Sequence, residues 1–367
     1  MSDDTLIERS AQRLFSENVD KALLERFEAG AFPDALWRLV VDGGFDRALA
    51  TDEAGGIGEG WSGVYPILRG IGYWHVPLPL GETMVAAMLL SSAGLEVPEG
   101  PVAIVEAGLD GALAVSGGRV SGRAPAVPWA GGARWLLVSD GASLALVDLH
   151  DAAASRVEPR LDVAKLPCGG VVLDGARAVA SAANPLPALE RPVRTLGAIA
   201  RSAMLVGVLE RVLEQSVSYV NDRVQFGKPI GRNQAIQQQL ALIAGDVAAA
   251  RTAALVACAD APSPGATDCG ATVFGAAVAK VRCGEAASRA AGIAHQVHGA
   301  IGFTYEHMLN YGTRRLWAWR EQSGSDAWWA ERLGRAAIAA GQAGFWPSIT
   351  QRRFDAGIAL DGGREAR

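Results

Sequence analysis

The sequence predicts an α+β fold that is mainly α, with a helical N-terminal domain, a small middle β-domain and a C-terminal four-helix bundle. Two observations lead to this prediction. Apolar residues recur at helical spacing towards both ends of the chain, and between them the pattern changes to short apolar runs separated by Gly, Pro, Asp and Ser. We place the domains at residues 1–98, 99–187 and 188–345, followed by a tail over 346–367.

The N-terminal domain is predicted from apolar clusters that have charged residues between them. The clusters are Leu6, Ile7 and Leu14; Leu23, Leu24 and Phe27; and Leu36, Leu39 and Val40. A glycine-rich break over residues 55–60 separates them from a further helix marked by Met84 and Met88. The break resembles a phosphate-binding glycine run, but it has the wrong spacing for G-x-G-x-x-G and no strand precedes it, which favours a simple turn.

The middle domain is predicted to consist of short strands. Residues 115–120, V-S-G-G-R-V, predict a hairpin with a two-residue Gly-Gly loop, because glycine readily adopts positive φ at both central positions. Residues 135–138 and 144–147 predict two more strands, separated by turn residues that include Asp140 and Gly141.

The C-terminal domain shows helical periodicity over four segments. They are marked by Leu205, Val208, Leu209 and Val212; by Ile236, Leu240, Ile243 and Val247; by Ala271 to about His298; and by Asp326 to about Ala340. Long helices joined by short breaks indicate an antiparallel bundle. Small residues of the first helix, such as Ala198, Ala200 and Gly207, would either widen a ligand pocket or allow close helix contacts, and we favour the contacts.

The charge of the chain argues against a polyanion-binding role. The 367 residues include 34 Lys and Arg against 39 Asp and Glu, a formal net charge of −5, and no block of basic residues is present. The N-terminal Met1-Ser2-Asp3-Asp4 is acidic where a secretory or transit peptide is basic, and charges interrupt the apolar stretches before about 18 residues. We therefore expect a cytoplasmic protein that binds neither nucleic acid nor a membrane.

The sequence offers little evidence for common catalytic or metal-binding motifs. The four cysteines have neither CxxC spacing nor a partnering histidine pair, which favours buried thiols over a metal site or a disulfide framework. His295 and His298 would share one face of a helix, but no acidic partner lies in register with them, so we expect no metal. The sequence contains no G-x-S-x-G, P-loop or H-E-x-x-H motif.

Two motifs in the C-terminal domain rise above this background. Residues 223–230, R-V-Q-F-G-K-P-I, are followed by N-Q-A-I-Q over 233–237, which places a cation and amides at a junction between two helices. Such a corner suits a pyrophosphate. Residues 296–304, Q-V-H-G-A-I-G-F-T, contain glycines that allow a ligand to approach the backbone.

Together and in this order, the two motifs resemble those of the acyl-CoA dehydrogenase family, whose three-part architecture also matches the predicted domains. In that family the flavin ring lies between the β-domain and the bundle, and the nucleotide half of FAD runs to the bundle of a neighbouring subunit. The resemblance implies that Arg223 meets the FAD pyrophosphate and that Phe226 and Gln234 line the adenosine end. Gln296 and Gly299 would complete this pocket.

The resemblance is broken at the catalytic base. Family members remove the α-proton of an acyl-CoA with a glutamate at one of two positions, while the flavin ring accepts the β-hydride. Counting from Arg223 and Gln296 places these positions at about Gly197 and Ser323, and neither residue can act as a base. The Thr- and Gly-rich segment that cups the flavin ring in the family is replaced here by residues 106–111, E-A-G-L-D-G.

The chain thus lacks what serves its own flavin ring and keeps what it would lend to the FAD of a neighbour. The first hypothesis is therefore a subunit of an FAD-dependent acyl-CoA dehydrogenase that desaturates an acyl-CoA thioester together with a homologous catalytic chain. In this respect the chain resembles the degenerate subunits of family members that act in bacterial breakdown of steroid side chains. There, two catalytic and two degenerate chains form a heterotetramer that holds fewer flavins than subunits. The alternatives are a self-sufficient dehydrogenase whose base has moved to Glu321 or Asp326, and a flavin-free structural or binding homologue.

Overall fold

The structure is a computed structural model that describes residues 6–361. The acidic start at Met1-Ser2-Asp3-Asp4 and the end of the tail, residues 362–367, lie outside this part of the chain. The N-terminal helices are α1 Leu6–Asn18, α2 Lys21–Glu28, α3 Asp34–Asp42, α4 Gly60–Tyr73 and α5 Leu80–Ser92, with single 3-10 turns at Phe45–Arg47 and Asp52–Ala54. Almost every residue of α5 is buried, so this helix lies between the other elements.

The middle domain is a seven-stranded sheet with its own apolar core. Its strands are β1 Val102–Glu106, β2 Ala112–Ser116, β3 Arg119–Pro128, β4 Trp135–Ser139, β5 Ser143–Asp148, β6 Ser155–Leu161 and β7 Pro167–Ala183. The order is β1-β4-β5-β7-β3-β2, with β6 also paired to β7, and β1 runs parallel to β4 while the other pairs are antiparallel. The long β7 therefore joins all parts of the sheet.

The predicted Gly-Gly hairpin is confirmed. Val115 pairs with Val120 across the turn, and Gly117 and Gly118 have φ of 57° and 71°. Both values lie in the left-handed region that glycine adopts without a steric penalty.

The C-terminal domain contains the four predicted helices and one that was not predicted. Its elements are α6 Pro192–Asp222, the short strands β8 Val224–Gln225 and β9 Lys228–Pro229, α7 Gln234–Ala259, α8 Gly270–His298, α9 Leu309–Glu321 and α10 Asp326–Gln351, with 3-10 turns at Ile230–Arg232 and Gly299–Phe303. Helix α10 bends at Gly341, where the backbone is not helical, and continues past the predicted end at about Ala340 into the first residues of the predicted tail. The predicted fold class is confirmed, and α9 is an addition to it.

Helices α4 and α6 cross at two glycines. A Cβ atom on Gly207 would lie 1.9 Å from the carbonyl oxygen of Arg69, and one on Gly72 would lie 1.8 Å from the carbonyl oxygen of Met204. The two backbones are therefore in direct contact, which confirms close helix packing as the reason for the small residue at position 207.

Replacing Gly207 by alanine should lower the free energy of unfolding by about 1–3 kcal/mol, because the added methyl group forces the two helices apart. Gly245→Ala in α7 is a matched control, since a Cβ there meets nothing within 4 Å. That change should raise the free energy of unfolding by about 0.5–1 kcal/mol, as expected for glycine replaced inside an exposed helix. Urea denaturation measures both values, and effects of the same sign would contradict the backbone contact.

Candidate functional site

The two C-terminal motifs meet in one open groove, which we call the hairpin groove. It lies where the end of α6, the β8–β9 hairpin, the start of α7 and the end of α8 come together, and it has a volume of about 530 Å³. A groove of this size is in the range of small-molecule sites. It is lined by Tyr219, Arg223, Gln225, Phe226, Lys228, Pro229, Ile230, Asn233, Ala235, Ile236, Gln239, Gln296, Val297, His298, Gly299 and Ala300.

The hairpin presents an aromatic side chain to solvent. Val224 pairs with Pro229 and Gln225 with Lys228, so Phe226 and Gly227 form a two-residue turn, with φ of 49° and 77°. The Phe226 side chain at this turn is 99% exposed. An aromatic ring that is held at the tip of a turn and is almost fully exposed among the described residues is suited to contact another molecule.

The groove carries positive charge that the described part of the chain does not neutralise. Arg223 follows α6 directly and Lys228 starts β9, and both side chains are exposed. Neither forms a salt bridge within residues 6–361, whereas most arginines elsewhere in the described chain pair with a carboxylate. Two unpaired cations beside a helix junction fit a phosphate-bearing ligand.

Helix α8 ends at the groove with a neutral histidine and a glycine of positive φ. The Nδ1–H of His298 donates to the carbonyl oxygen of Ala294 at 2.8 Å, its ring stacks on Tyr219, and burial lowers its pKa to about 4. Gly299 follows with φ 64° and ψ −143°, a conformation that is essentially restricted to glycine. Open space surrounds the position of a Cβ at Gly299, so a ligand can approach the backbone there.

The two histidines considered as a metal pair are engaged separately. His295 Nε2 lies 2.9 Å from Thr313 Oγ1, and its ring stacks on Phe303. Within the described residues, no group of three or more His, Cys, Asp or Glu side chains is placed to hold a metal ion.

Four of the five predicted site residues lie together in the groove. Arg223, Phe226, Gln296 and Gly299 line it, whereas Gln234 is exposed at the first position of α7 and is not among the lining residues. Sequence analysis missed Tyr219, although it lies in the last turn of α6, where its carbonyl oxygen accepts the backbone N–H of Arg223 at 2.9 Å. The role of each residue towards a ligand stays a prediction.

The second candidate site is a gap between the three domains, which we call the interdomain cleft. Its volume is only about 40 Å³, enough for a few water molecules and far below the size of an organic ligand site. The N-terminal domain contributes Gly81, Glu82 and Val85; the β-domain contributes Ile104, Val105, Asp110, Ala126, Val127 and Pro128; the bundle contributes Val193, Arg194, Gly197, Arg201, Gln322 and Ser323.

Both inferred base positions face this cleft and each other. A Cβ on Gly197 would lie 2.6 Å from the hydroxyl oxygen of Ser323. The two inferred positions, which are 126 residues apart in the sequence, are therefore adjacent in the structure. Neither residue carries a carboxylate. The proposed substitutes do not line the cleft: Asp326 accepts two hydrogen bonds of 2.8 Å from Arg320, and Glu321 is 62% exposed beside the same arginine.

Two ion pairs occupy the walls of the cleft, one of them buried and the other half-buried at its carboxylate. Arg201 of α6 pairs with Glu82 of α5, and the two side chains are 5% and 4% exposed. Arg194 of α6 pairs with Asp110 of the β1–β2 turn at 2.5 Å. These two pairs connect the bundle to the N-terminal domain and to the β-domain.

Residues 106–111, which replace the segment expected to cup a flavin ring, close on themselves and on α6. The carboxylate of Glu106 accepts the backbone N–H of Arg194 at 3.0 Å, and Asp110 accepts the backbone N–H of Glu106 at 2.8 Å. Burial raises the pKa of Glu106 to about 7, although the hydrogen bonds that its carboxylate accepts from the Arg194 backbone and from Ser139 act to lower it. The residues present thus fit a nucleotide in the hairpin groove but do not fit a flavin ring in the interdomain cleft.

Comparisons with known proteins agree on one family. Residues 195–344 match the family model of the acyl-CoA dehydrogenase C-terminal domain. A curated relative, acyl-CoA dehydrogenase IpdE2 of Mycolicibacterium smegmatis, is 29% identical over 294 residues, 78% of this chain and 83% of the relative.

Two solved structures of the same fold are also similar. The Tcur3481-Tcur3483 steroid ACAD has a TM-score of 0.79 and 25% identity, over 92% of this chain and 98% of the other. The ChsE4-ChsE5 complex of Mycobacterium tuberculosis has a TM-score of 0.78 and 22% identity, over 91% and 96%.

Proposed function

Because this chain has the fold and the C-terminal domain of the acyl-CoA dehydrogenase family, we propose that it is a subunit of an FAD-dependent acyl-CoA dehydrogenase. It acts with a homologous catalytic chain in the α,β-desaturation of an acyl-CoA thioester. This chain binds the nucleotide half of FAD in the hairpin groove, and the partner holds the flavin ring and supplies the glutamate base.

The contrast between the two locations carries the proposal. The hairpin groove is open, at about 530 Å³, and holds the unpaired cations Arg223 and Lys228. The interdomain cleft is almost closed, at about 40 Å³, and has Gly197 and Ser323 where a base is needed. A general base must be a titratable group within reach of the carbon acid, and neither Gly197 nor Ser323 carries a carboxylate.

Two further observations support a protein partner. By length and composition alone, helix α7 is apolar enough to cross a membrane. In the structure it packs against α6 and α8 in the bundle. Only 33% of its most apolar 18-residue stretch is buried there. Its free side and α8 form an apolar groove of about 590 Å³ around Val256 and Phe274. In addition, the two similar structures are named as pairs of chains, which supports a heteromeric assembly here.

The alternatives are less well supported. A relocated base requires Glu321 or Asp326 to reach the cleft, and both are engaged with Arg320 outside it. A flavin-free homologue gives no reason for two unpaired cations and an exposed Phe226 around an open groove.

Co-expression with an acyl-CoA dehydrogenase encoded beside this chain tests the assembly. We expect a yellow complex with fewer flavins than subunits, and turnover that is lost when the partner's glutamate base is replaced by glutamine. Flavin absorbance per protein and acyl-CoA oxidation measure the two quantities. A yellow, fully active oligomer formed by this chain alone would contradict the proposal.

Replacing Arg223 by glutamine should weaken FAD binding to this complex by about 10–100-fold, because a hydrogen bond between a cation and a pyrophosphate contributes about 1.5–3 kcal/mol. Equilibrium dialysis of the complex with FAD measures the dissociation constant. Arg38→Gln, at an exposed arginine of α3, is the matched control and should leave the constant unchanged. Equal affinity of the two variants would remove the hairpin groove from the FAD site.

A further inference from the structure

The position of the interdomain cleft defines what it would have to hold. A base and a flavin ring act on neighbouring carbons of one substrate, so a ring pocket must lie beside the base positions. Gly197 and Ser323 mark those positions, and both line the cleft. The cleft is also the place where the β-domain meets the bundle, between Val127 and α6.

Two arginines of α6 occupy this place. Arg194 lies three residues before Gly197 and Arg201 lies four residues after it, so all three share one helix face. Arg201 reaches Glu82, and its guanidinium carbon lies 5.0 Å from the ring centre of Trp319. Arg201 thus fills the inner part of the cleft, between the N-terminal domain and the bundle.

Arg194 fills the outer part of the cleft. It pairs with Asp110, and its guanidinium carbon lies 5.3 Å from the ring centre of Trp328. Arg332 lies on the same ring at 3.5 Å, so that Trp328 is in contact with two guanidinium groups. This stack of Arg332, Trp328, Arg194 and Asp110 connects α10 to the β-domain across the cleft.

The remaining space suits water. The Nε atoms of Arg194 and Arg201 and one carboxylate oxygen of Glu82 are buried without a hydrogen-bond partner in the described chain. A gap of about 40 Å³ holds the few waters that such atoms need. A tricyclic ring could enter only after both ion pairs had separated, which leaves the buried charges of Arg201, Glu82 and Arg194 without partners.

We infer that Arg194 and Arg201, with Glu82 and Asp110, form an internal plug that excludes a flavin ring from this chain. The inference deepens the proposed function in one respect, because the group excluded is the ring that the partner holds. It adds the reason why the complex would hold fewer flavins than subunits: these four side chains fill the space that a second flavin ring would need. The missing base is a separate loss.

Lumiflavin tests the plug, because it has the ring of FAD but lacks the nucleotide that the hairpin groove would bind. Equilibrium dialysis of the full chain should show no saturable binding by the wild type. The double change Arg201→Ala and Glu82→Ala opens the cleft without leaving either charge unpaired. It should give saturable lumiflavin binding that is at least about tenfold, or 1.4 kcal/mol, tighter than the weakest binding that dialysis of the wild type would detect.

A refilled variant is the matched control. Arg201→Met with Glu82→Leu restores apolar volume at the same two positions and should bind lumiflavin no better than the wild type. Arg194→Ala with Asp110→Ala opens the outer part of the cleft independently, and thermal unfolding shows which variants are folded.

Saturable binding of lumiflavin by the wild-type chain would overturn the plug whatever the variants do. So would two folded, opened variants that bind no lumiflavin, or a refilled variant that binds as well as the opened one. Because lumiflavin does not use the hairpin groove, these results are independent of the Arg223→Gln test. A failure of the plug can therefore be told apart from a failure of the proposed function.

Discussion

Replacing Arg201 by methionine alone should lower the free energy of unfolding by about 3–5 kcal/mol, one of the largest effects expected for a single change in this chain. The methionine fills most of the volume, but it leaves Glu82 with only 4% of its side chain exposed and no cation beside it. A buried carboxylate without a partner is costly because the protein interior solvates charge poorly. Urea denaturation of the purified chain measures the loss.

Two comparisons isolate the buried charge as the cause. The double variant Arg201→Met and Glu82→Leu removes both charges, and its stability should return to within about 1–2 kcal/mol of the wild type, as seen when buried pairs are exchanged for apolar residues. Arg13→Met breaks the exposed pair with Glu17, whose side chains are 79% and 60% exposed, and should cost less than about 1 kcal/mol. Equal losses in the single and double variants would assign the effect to packing.

The parts of the fold that follow local rules could be predicted from the sequence. The Gly117–Gly118 turn depends on positive φ at two adjacent residues, and α8 on a pattern that runs from Gly270 to His298. Both signals lie within a few residues or repeat along one helix. They need no knowledge of distant contacts.

Helix α9 shows where such rules stop. Its buried residues include Asn310, Thr313 and Arg315, which read as solvent-facing positions in a sequence pattern. Arg315 is 1% exposed and donates to the carbonyl oxygens of Tyr311 and His75, the latter 240 residues away in the chain. Because these buried positions carry polar groups that bond to distant backbone, the helix lacks the continuous apolar face by which a buried helix is recognised in a sequence.

The same difference separates the two candidate locations. The groove residues Arg223 and Gln296 belong to two motifs, and the resemblance of these motifs to the acyl-CoA dehydrogenase family already implied a shared site. The plug could not be predicted, because an arginine on a helix reads as a surface residue and the partner of Arg201 lies 119 residues earlier. Which arginines are buried is decided by the way the three domains meet.

Replacing Lys280 by methionine should lower the free energy of unfolding by about 3 kcal/mol or more, because unsatisfied buried polar groups cost about 1–3 kcal/mol each. Lys280 is fully buried, and its amine nitrogen lies 3.2, 2.9 and 2.8 Å from the carbonyl oxygens of Trp319, Arg320 and Gln322. The charged amine donates to all three carbonyls and the neutral amine to two of them. These carbonyls end α9 directly before Ser323, so the lysine fixes the backbone of the interdomain cleft. Lys21→Met, at a lysine of α2 whose side chain is 40% exposed, should cost less than about 1 kcal/mol.

The loss caused by Lys280→Met should also depend on pH. Burial lowers the pKa of Lys280 from 10.5 to about 7, and the nearby Arg201 acts in the same direction. Between these two values the unfolded chain binds a proton that the folded chain does not, so the contribution of Lys280 to stability rises with pH from about 7 to 10.5. Urea denaturation at several pH values should therefore show the difference between wild type and variant growing over this range. A difference that stays constant or shrinks would mean that the amine remains charged among the three carbonyls.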